Sequence, residues 1–140
     1  MTAISCRASC ALLLSGNACP PPSQNSCSWA GLGTVGGNPS RSWVVRCDVS
    51  GVYAHELGHN IGMNHASTPT YTYGDTSDVM GAASNRLIKI NAPHQEQMGW
   101  VPDYQITEIT QSGTYDIAPL GIDPAQAQAP QMLKIAKPDS

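Results

Sequence analysis

The sequence lacks the features that mark two large classes of protein. Its seven Lys and Arg residues form no cluster and the formal net charge is −3, so nothing indicates a basic surface for nucleic acid. No apolar run approaches the ~18 residues that a membrane-spanning helix needs. Charged residues make up only 12% of the chain and apolar residues 41%, which is typical of a weakly charged globular protein. We therefore expect neither nucleic acid as a partner nor a membrane span.

The most informative feature that is present is the stretch from His55 to His65, which follows the pattern H-E-x-x-H-x-x-G-x-x-H. In a helix, His55 and His59 lie on one face, so both imidazoles can reach one metal ion. Glu56 then lies beside the ion, within reach of a water molecule whose proton it can take. Gly62 can adopt a positive φ, which lets the chain return His65 to the same ion. Three protein ligands leave a fourth position open, as in catalytic zinc sites.

The alternative interpretation is a set of solvated or core histidines without a metal. The short H-E-x-x-H pattern occurs by chance on ordinary helices, but the added Gly and His make a chance match of the longer pattern rare. The chain has four histidines, and three of them fall within eleven residues. The pattern therefore favours one Zn²⁺ per chain.

The zinc motif is followed, fifteen residues beyond His65, by Met80 in the sequence Ser-Asp-Val-Met-Gly. This combination resembles the metzincin metalloproteases, in which a Met-containing turn lies under the metal. Within that group, residues 47–60, 78–81 and 91–100 look most like the gametolysin family (peptidase family M11). The resemblance implies an α+β fold, with a small mixed sheet, an active-site helix and a Met-turn, followed by the start of a β-rich segment.

The same resemblance implies roles for other residues. Met80 would form the apolar floor beneath the zinc. A Tyr hydroxyl near the metal, acting on the oxyanion or the substrate, could come from Tyr71 or Tyr73, with ordinary aromatic packing as the alternative for each.

The segments 29–35 and 41–46, separated by a turn-rich loop, predict two strands. The resemblance implies that residues 31–35 are the edge strand of the cleft, where an extended substrate backbone would pair by strand addition. Its Gly31, Leu32 and Gly33 are the candidate substrate-binding residues. An ordinary hairpin is the alternative.

All five cysteines fall in the first third of the chain, which suggests an oxidising compartment and a secreted protein. Residues 1–18 resemble a secretory signal only weakly. Cys27 with Cys47 is the favoured bridge, because each borders a strand-like segment leading into the zinc helix. The odd count leaves one cysteine over, and a free cysteine capping the zinc in a latent form is a further alternative. The five are Cys6, Cys10, Cys19, Cys27 and Cys47.

The active-site helix is predicted over residues 49–61, with Asp48 or Ser50 as its cap. Residues 66–77 are expected to have no regular structure. Asn91 is predicted to cap a second helix that ends at Gly99. His94, in its first turn, is expected to be a surface histidine, with contact to a metal ligand as the alternative. The predicted buried side of the first helix consists of Val49, Val52, Tyr53, Leu57 and Ile61.

Beyond residue 103, the alternating segments 105–110 and 114–118 predict a hairpin, and 132–135 predicts one more strand. We expect residues 1–27 to be a leader or linker, 28–103 a metzincin-like catalytic core, and 104–140 a truncated β-rich segment. Because only 54 residues precede His55, the chain is expected to be either a compact variant or a fragment.

The function that the sequence predicts is a zinc-dependent endopeptidase. Its substrate would be an extended polypeptide, and the family resemblance implies an extracellular-matrix or cell-wall glycoprotein. The alternative is a truncated, inactive metzincin fragment that binds zinc or a glycoprotein without cleaving it.

Overall fold

The structure is a computed structural model that describes residues 29–46, 48–86 and 88–136. The chain divides into two compact units, Met1–Ile90 and Asn91–Ser140. All five cysteines and the predicted leader 1–27 lie outside the described residues, so the Cys27–Cys47 bridge stays a prediction. Within the described ranges, no helix is long and apolar enough to cross a membrane.

The first unit begins with a short antiparallel hairpin. Strand β1 (Gly31–Gly33) pairs with strand β2 (Ser42–Val44), and Leu32 lies opposite Trp43. Gly36 and Gly37 in the connection both have positive φ. The two predicted strands are confirmed, although each is only three residues long.

Helix α1 (Ser50–Asn60) follows and confirms the predicted active-site helix. The predicted cap is wrong, because Val49 occupies the N-cap position and no side chain caps the helix. Asp48 instead forms an ion pair with Arg46 at 3.1 Å. Gly62, two residues beyond the helix, has a φ of +104°. This conformation allows two hydrogen bonds that close the helix end: the Gly62 N–H donates to the His59 carbonyl at 2.9 Å, and the Met63 N–H donates to the Gly58 carbonyl at 3.0 Å.

The predicted buried side of α1 is partly wrong. Leu57 and Ile61 are 60% and 51% exposed, whereas Val49 and Val52 are buried. The helix turns its histidine-bearing side inward, because β1 and the loop after α1 pack against that side. Val44, Val49 and Val52 form a small apolar cluster with Tyr53 against it. The residues of α1 that are buried are Gly51, Val52, His55, Glu56, Gly58 and His59.

Residues 61–86 contain no helix and no strand, and only Thr68 and Tyr71 form an isolated bridge. This agrees with the prediction that residues 66–77 lack regular structure. Backbone bonds nevertheless order the segment. For example, the Asp75 N–H donates to the Ala66 carbonyl at 3.0 Å.

The second unit begins with helix α2 (Ala92–Gln97). Asn91 caps it as predicted, because its side-chain oxygen accepts a bond from the His94 N–H at 3.0 Å. Gly99, with φ of +67°, follows the helix. The expectation of a surface histidine is wrong, since His94 is only 8% exposed.

The predicted hairpin of 105–110 with 114–118 is also wrong. Strand β3 (Ile106–Ile109) pairs in parallel with strand β4 (Met132–Ile135). Parallel strands need a long crossover, and residues 110–131 provide it. The buried Gln131 amide holds this crossover, since its Nε2 donates to the carbonyls of Pro119 and Ile122 at 2.9 and 3.0 Å. The α+β expectation holds at the level of a small mixed structure with short sheets.

Gly51 provides a test of the packing around α1. A Cβ at this position would overlap the backbone oxygen and nitrogen of Ser84, which cannot move as a side chain could. We expect Gly51→Ala to lower the free energy of unfolding by about 2 kcal/mol or more, measured by urea denaturation. The exposed neighbour variant Ser50→Ala should change it by less than ~0.5 kcal/mol. Equal stability of the two variants would contradict the packing described here.

Candidate metal centre

Three imidazoles meet on the inner side of α1. His55 and His59 lie one turn apart on the helix, and the turn at Gly62 returns His65 to them. Their candidate ligand atoms lie within 4.8 Å of one another, and the Nε2 atoms of His59 and His65 are 3.1 Å apart. A tetrahedral zinc ion with bonds of about 2.0–2.1 Å separates its ligand atoms by roughly 3.3 Å. The three side chains could therefore hold one ion, and the distance between His59 and His65 is already close to the tetrahedral value.

Hydrogen bonds to backbone carbonyls determine which nitrogen carries the proton in two of these rings. His55 Nδ1 lies 2.9 Å from the Val79 carbonyl oxygen, and His59 Nδ1 lies 2.8 Å from that of Met63. A carbonyl oxygen only accepts hydrogen bonds, so each Nδ1 carries the proton and each Nε2 keeps its lone pair. This is the tautomer that a metal ligand requires, with the second nitrogen orienting the ring.

Burial favours the neutral form of two of these histidines, His55 and His65. It lowers the pKa of His55, helped by the nearby His59, and it lowers the pKa of His65 in the same way. A neutral imidazole is the form that binds a metal. Zinc binding is thus favoured by the tautomer of His55 and His59 and by the neutral form of His55 and His65.

Glu56 lies beside the cluster and between α1 and β1. The residue is 4% exposed, and no described residue donates a hydrogen bond to its carboxylate. A Cβ on Gly31 would overlap Glu56 Oε1, and one on Gly33 would lie 3.0 Å from Oε2. Burial raises the pKa of Glu56 to about 7. The carboxylate therefore sits in a narrow space that only glycines on β1 leave open.

The turn that contains Met80 holds His55 and the segment next to His65 in place through hydrogen bonds. The Asp78 side chain is fully buried, and its Oδ1 accepts a bond from the Met80 N–H at 2.6 Å. This bond holds the Val79 carbonyl that receives His55. The Met80 carbonyl in turn accepts the N–H of Ala66, the neighbour of His65, at 3.2 Å. Met80 itself is completely buried, and its sulfur fills the space next to Gly58.

The structure separates the two candidate tyrosines. The Tyr73 ring lies 4.2 Å from that of His65 and 6.0 Å from that of His55, measured between centroids. Tyr71 contacts Tyr73 at 6.1 Å and is 62% exposed. Burial and the charge of Glu56 raise the pKa of Tyr73, so its phenol stays protonated. Tyr73 is therefore at the cluster and Tyr71 is outside it.

The remaining predicted residues are Gly31, Leu32, Gly33 and His94. Gly31 and Gly33 face Glu56, whereas Leu32 points away and is 53% exposed. His94 belongs to the second unit and is not part of the cluster. Among the described residues, His55, His59 and His65 form the only group of three or more metal-binding side chains. Asp78 was not predicted as a site residue, and its only sequence signal is its place two residues before Met80.

The geometry defines a candidate mononuclear metal centre with a buried carboxylate beside it. Comparison with known proteins supplies the family: the gametolysin peptidase M11 family matches residues 17–128, and the chain belongs to that family. It is similar to the protein named autolysin from Chlamydomonas reinhardtii, with 38% identity over 82 residues. That match covers 53% of this chain and 13% of the relative, so the chain spans only a small part of the relative's length. No solved structure matches the chain.

Zinc binding tests the three-histidine cluster directly. We expect the purified protein to bind one zinc ion, and His65→Ala to weaken the affinity by more than ~100-fold, because a ligand is lost. Competition with a chromophoric chelator measures both. His94→Gln is the matched control, since this histidine lies outside the cluster, and it should bind zinc like the wild type. Wild-type affinity in His65→Ala would rule out the proposed ligand set.

The burial of Glu56 predicts a pH dependence of stability in the metal-free protein. The raised pKa means that folding favours the protonated carboxyl, so this contribution is complete below pH 4.5 and is lost as the pH rises through about 7. Glu56→Gln removes the titration. Between pH 5 and 8, we expect it to gain on the order of 1–3 kcal/mol of stability relative to the wild type.

Urea denaturation of both proteins at several pH values, in the presence of a chelator, measures this difference. The exposed Glu108 provides the control, because Glu108→Gln should show no such gain. A difference between Glu56→Gln and the wild type that stays constant with pH would contradict the burial argument.

Proposed function

We propose that the protein is a zinc-dependent endopeptidase that hydrolyses peptide bonds of extracellular or cell-wall (glyco)proteins. One observation carries the proposal: the buried Glu56 directly follows His55 in α1, and the ligand atoms of His55, His59 and His65 lie within 4.8 Å of one another. Membership of a peptidase family supports it. His55, His59 and His65 would hold the ion. When bound, zinc supplies Lewis acidity towards a carbonyl oxygen and lowers the pKa of water.

Glu56 is the proposed general base. It would take the proton of the attacking water and pass it to the leaving amine. A general base must lie within reach of the proton that it takes. Glu56 meets this requirement because it directly follows the proposed ligand His55 on the same helix turn. The absence of a described hydrogen-bond donor to its carboxylate leaves both oxygens able to accept a proton.

Two further side chains would assist without making bonds to the substrate backbone. Met80 would form the apolar floor of the metal centre, since it is completely buried against α1. Tyr73 is the better candidate for a hydroxyl near the oxyanion or the substrate, because its ring packs on His65. Tyr71 has no such contact and would at most support Tyr73.

Strand β1 is the proposed binding site for the substrate backbone. The Thr34 N–H donates to the Arg41 carbonyl at 2.9 Å. Because hydrogen-bonded residues alternate along an antiparallel pair, the backbone N–H and C=O groups of Leu32 also face β2. The N–H and C=O groups of Gly31 and Gly33 then point to the other edge, and no described strand pairs there. An extended peptide could add to that edge beside Glu56.

The substrate class follows from similarity alone, and the location follows from similarity together with the cysteine content. The relative is named autolysin, and the proposed substrate is accordingly a cell-wall or extracellular-matrix glycoprotein in extended form. The proposed location is secreted, which the cysteine-rich first third of the chain supports.

Cleavage of denatured casein or gelatin by the zinc-loaded protein tests the proposal. We expect Glu56→Ala to lower kcat/KM by about 10²–10⁴-fold while the zinc content stays at one ion per chain, because the base is lost and the ligands remain. Glu108→Ala, at an exposed carboxylate, should cleave like the wild type. A zinc-loaded wild type that cleaves nothing would favour a metal-binding module without activity.

A further inference from the structure

Asn60, the last residue of α1, links the active-site helix to both strands of the β1–β2 hairpin. Its Nδ2 donates to the carbonyls of Thr34 and Arg41 at 3.1 and 3.0 Å. Its Oδ1 accepts a bond from the Ser42 hydroxyl at 2.7 Å. Both the NH₂ group and the oxygen of the Asn60 amide therefore form hydrogen bonds with the β1–β2 hairpin.

The chemistry of the partners fixes the orientation of this amide. Carbonyl oxygens only accept, so the NH₂ group must face Thr34 and Arg41. These two residues also pair with each other, since the Thr34 N–H donates to the Arg41 carbonyl. Asn60 thus joins α1 to both strands at a single rung of the hairpin. A backbone bond from the Gly36 N–H to the His59 carbonyl, at 2.7 Å, supports the same junction.

This junction lies one residue beyond Gly33, at the point where β1 touches the centre. A Cβ on Gly33 would lie 2.8 Å from the Glu56 carbonyl and 3.1 Å from the His59 Cβ, so the strand has almost no room to shift. A slip of β1 by one residue moves it about 3.3 Å and turns the opposite face inward. The Leu32 side chain would then point at Glu56 in place of a glycine.

We propose that Asn60 is a positioning residue that fixes the register of β1 against α1. In this register, a peptide paired with the free edge of β1 presents its scissile bond to Glu56 and the three histidines. Asn60 touches neither the substrate nor the metal and acts through the strand. The inference rests on the proposed peptidase function and adds to it the element that aligns the substrate.

The variant Asn60→Asp tests this role with almost no change in shape. It replaces the amide nitrogen with a carboxylate oxygen that faces the Thr34 and Arg41 carbonyls, so two attractive contacts become repulsive. Ser42→Ala is the milder variant, because it removes the hydroxyl and leaves both Nδ2 bonds. Gly51→Ala, at the other end of α1, is the control for a general loss of stability.

The readout is kcat and KM for two peptides that share one bond cleaved in casein. The long peptide extends several residues to each side of that bond, and the short one is trimmed close to it. For Asn60→Asp we expect a KM about tenfold higher for the long peptide, less than a twofold change for the short one, and unchanged zinc affinity. Gly51→Ala should affect both peptides alike. A loss in Asn60→Asp that is equal for both peptides would overturn the proposal.

A binding measurement separates this proposal from the peptidase function. Denatured casein is titrated onto zinc-loaded Glu56→Gln protein, with and without Asn60→Asp. We expect Asn60→Asp to weaken binding by about tenfold. If the wild type does not cleave casein but binding still depends on Asn60, the hydrolase is wrong and the positioning role stands. Binding that does not depend on Asn60 overturns the positioning role, whatever the wild type cleaves.

Discussion

The structure of the first unit depends on two hydrogen bonds in which backbone carbonyls accept the Nδ1–H groups of His55 and His59. Without them the rings could turn, and the lone pairs would no longer converge. Each carbonyl has its own support: the buried Asp78 holds the Met80 turn and thereby the Val79 carbonyl, and the turn at Gly62 places the Met63 carbonyl. The turn residues therefore matter as much to the centre as the ligands.

Close contact between α1 and its neighbours is the second constraint. Glycines stand at three close contacts of the helix side that carries the histidines: Gly31 and Gly33 on β1, and Gly58 on α1 against Met80. Any larger residue there would displace Glu56 or the methionine. Asn60 adds polar bonds at the edge of this contact. Small residues allow the approach, and the amide fixes its register.

The sequence predicted the parts of the fold and site that depend on local geometry. Spacing along one helix brings His55, Glu56 and His59 together whatever surrounds them, and a positive φ at Gly62 is enough to return His65. The exposed side of α1 was predicted wrongly, because Leu57 and Ile61 look like core residues unless one knows that the histidines face inward. The alternation of apolar and polar residues in 105–118 cannot reveal that β3 pairs with β4, a strand far along the chain. No local pattern reveals that Asp78 supports a backbone carbonyl either.

Three of the six buried residues of α1 are titratable: His55, Glu56 and His59. Because these polar side chains are buried around the candidate metal centre, the binding energy of a metal would contribute directly to the stability of the fold. On the proposed function, the supply of zinc would then govern how long the molecule survives as well as whether it cuts. On the same proposal, a molecule that loses its metal would loosen and become a substrate for its metal-loaded neighbours, which would link its lifetime to the composition of its surroundings.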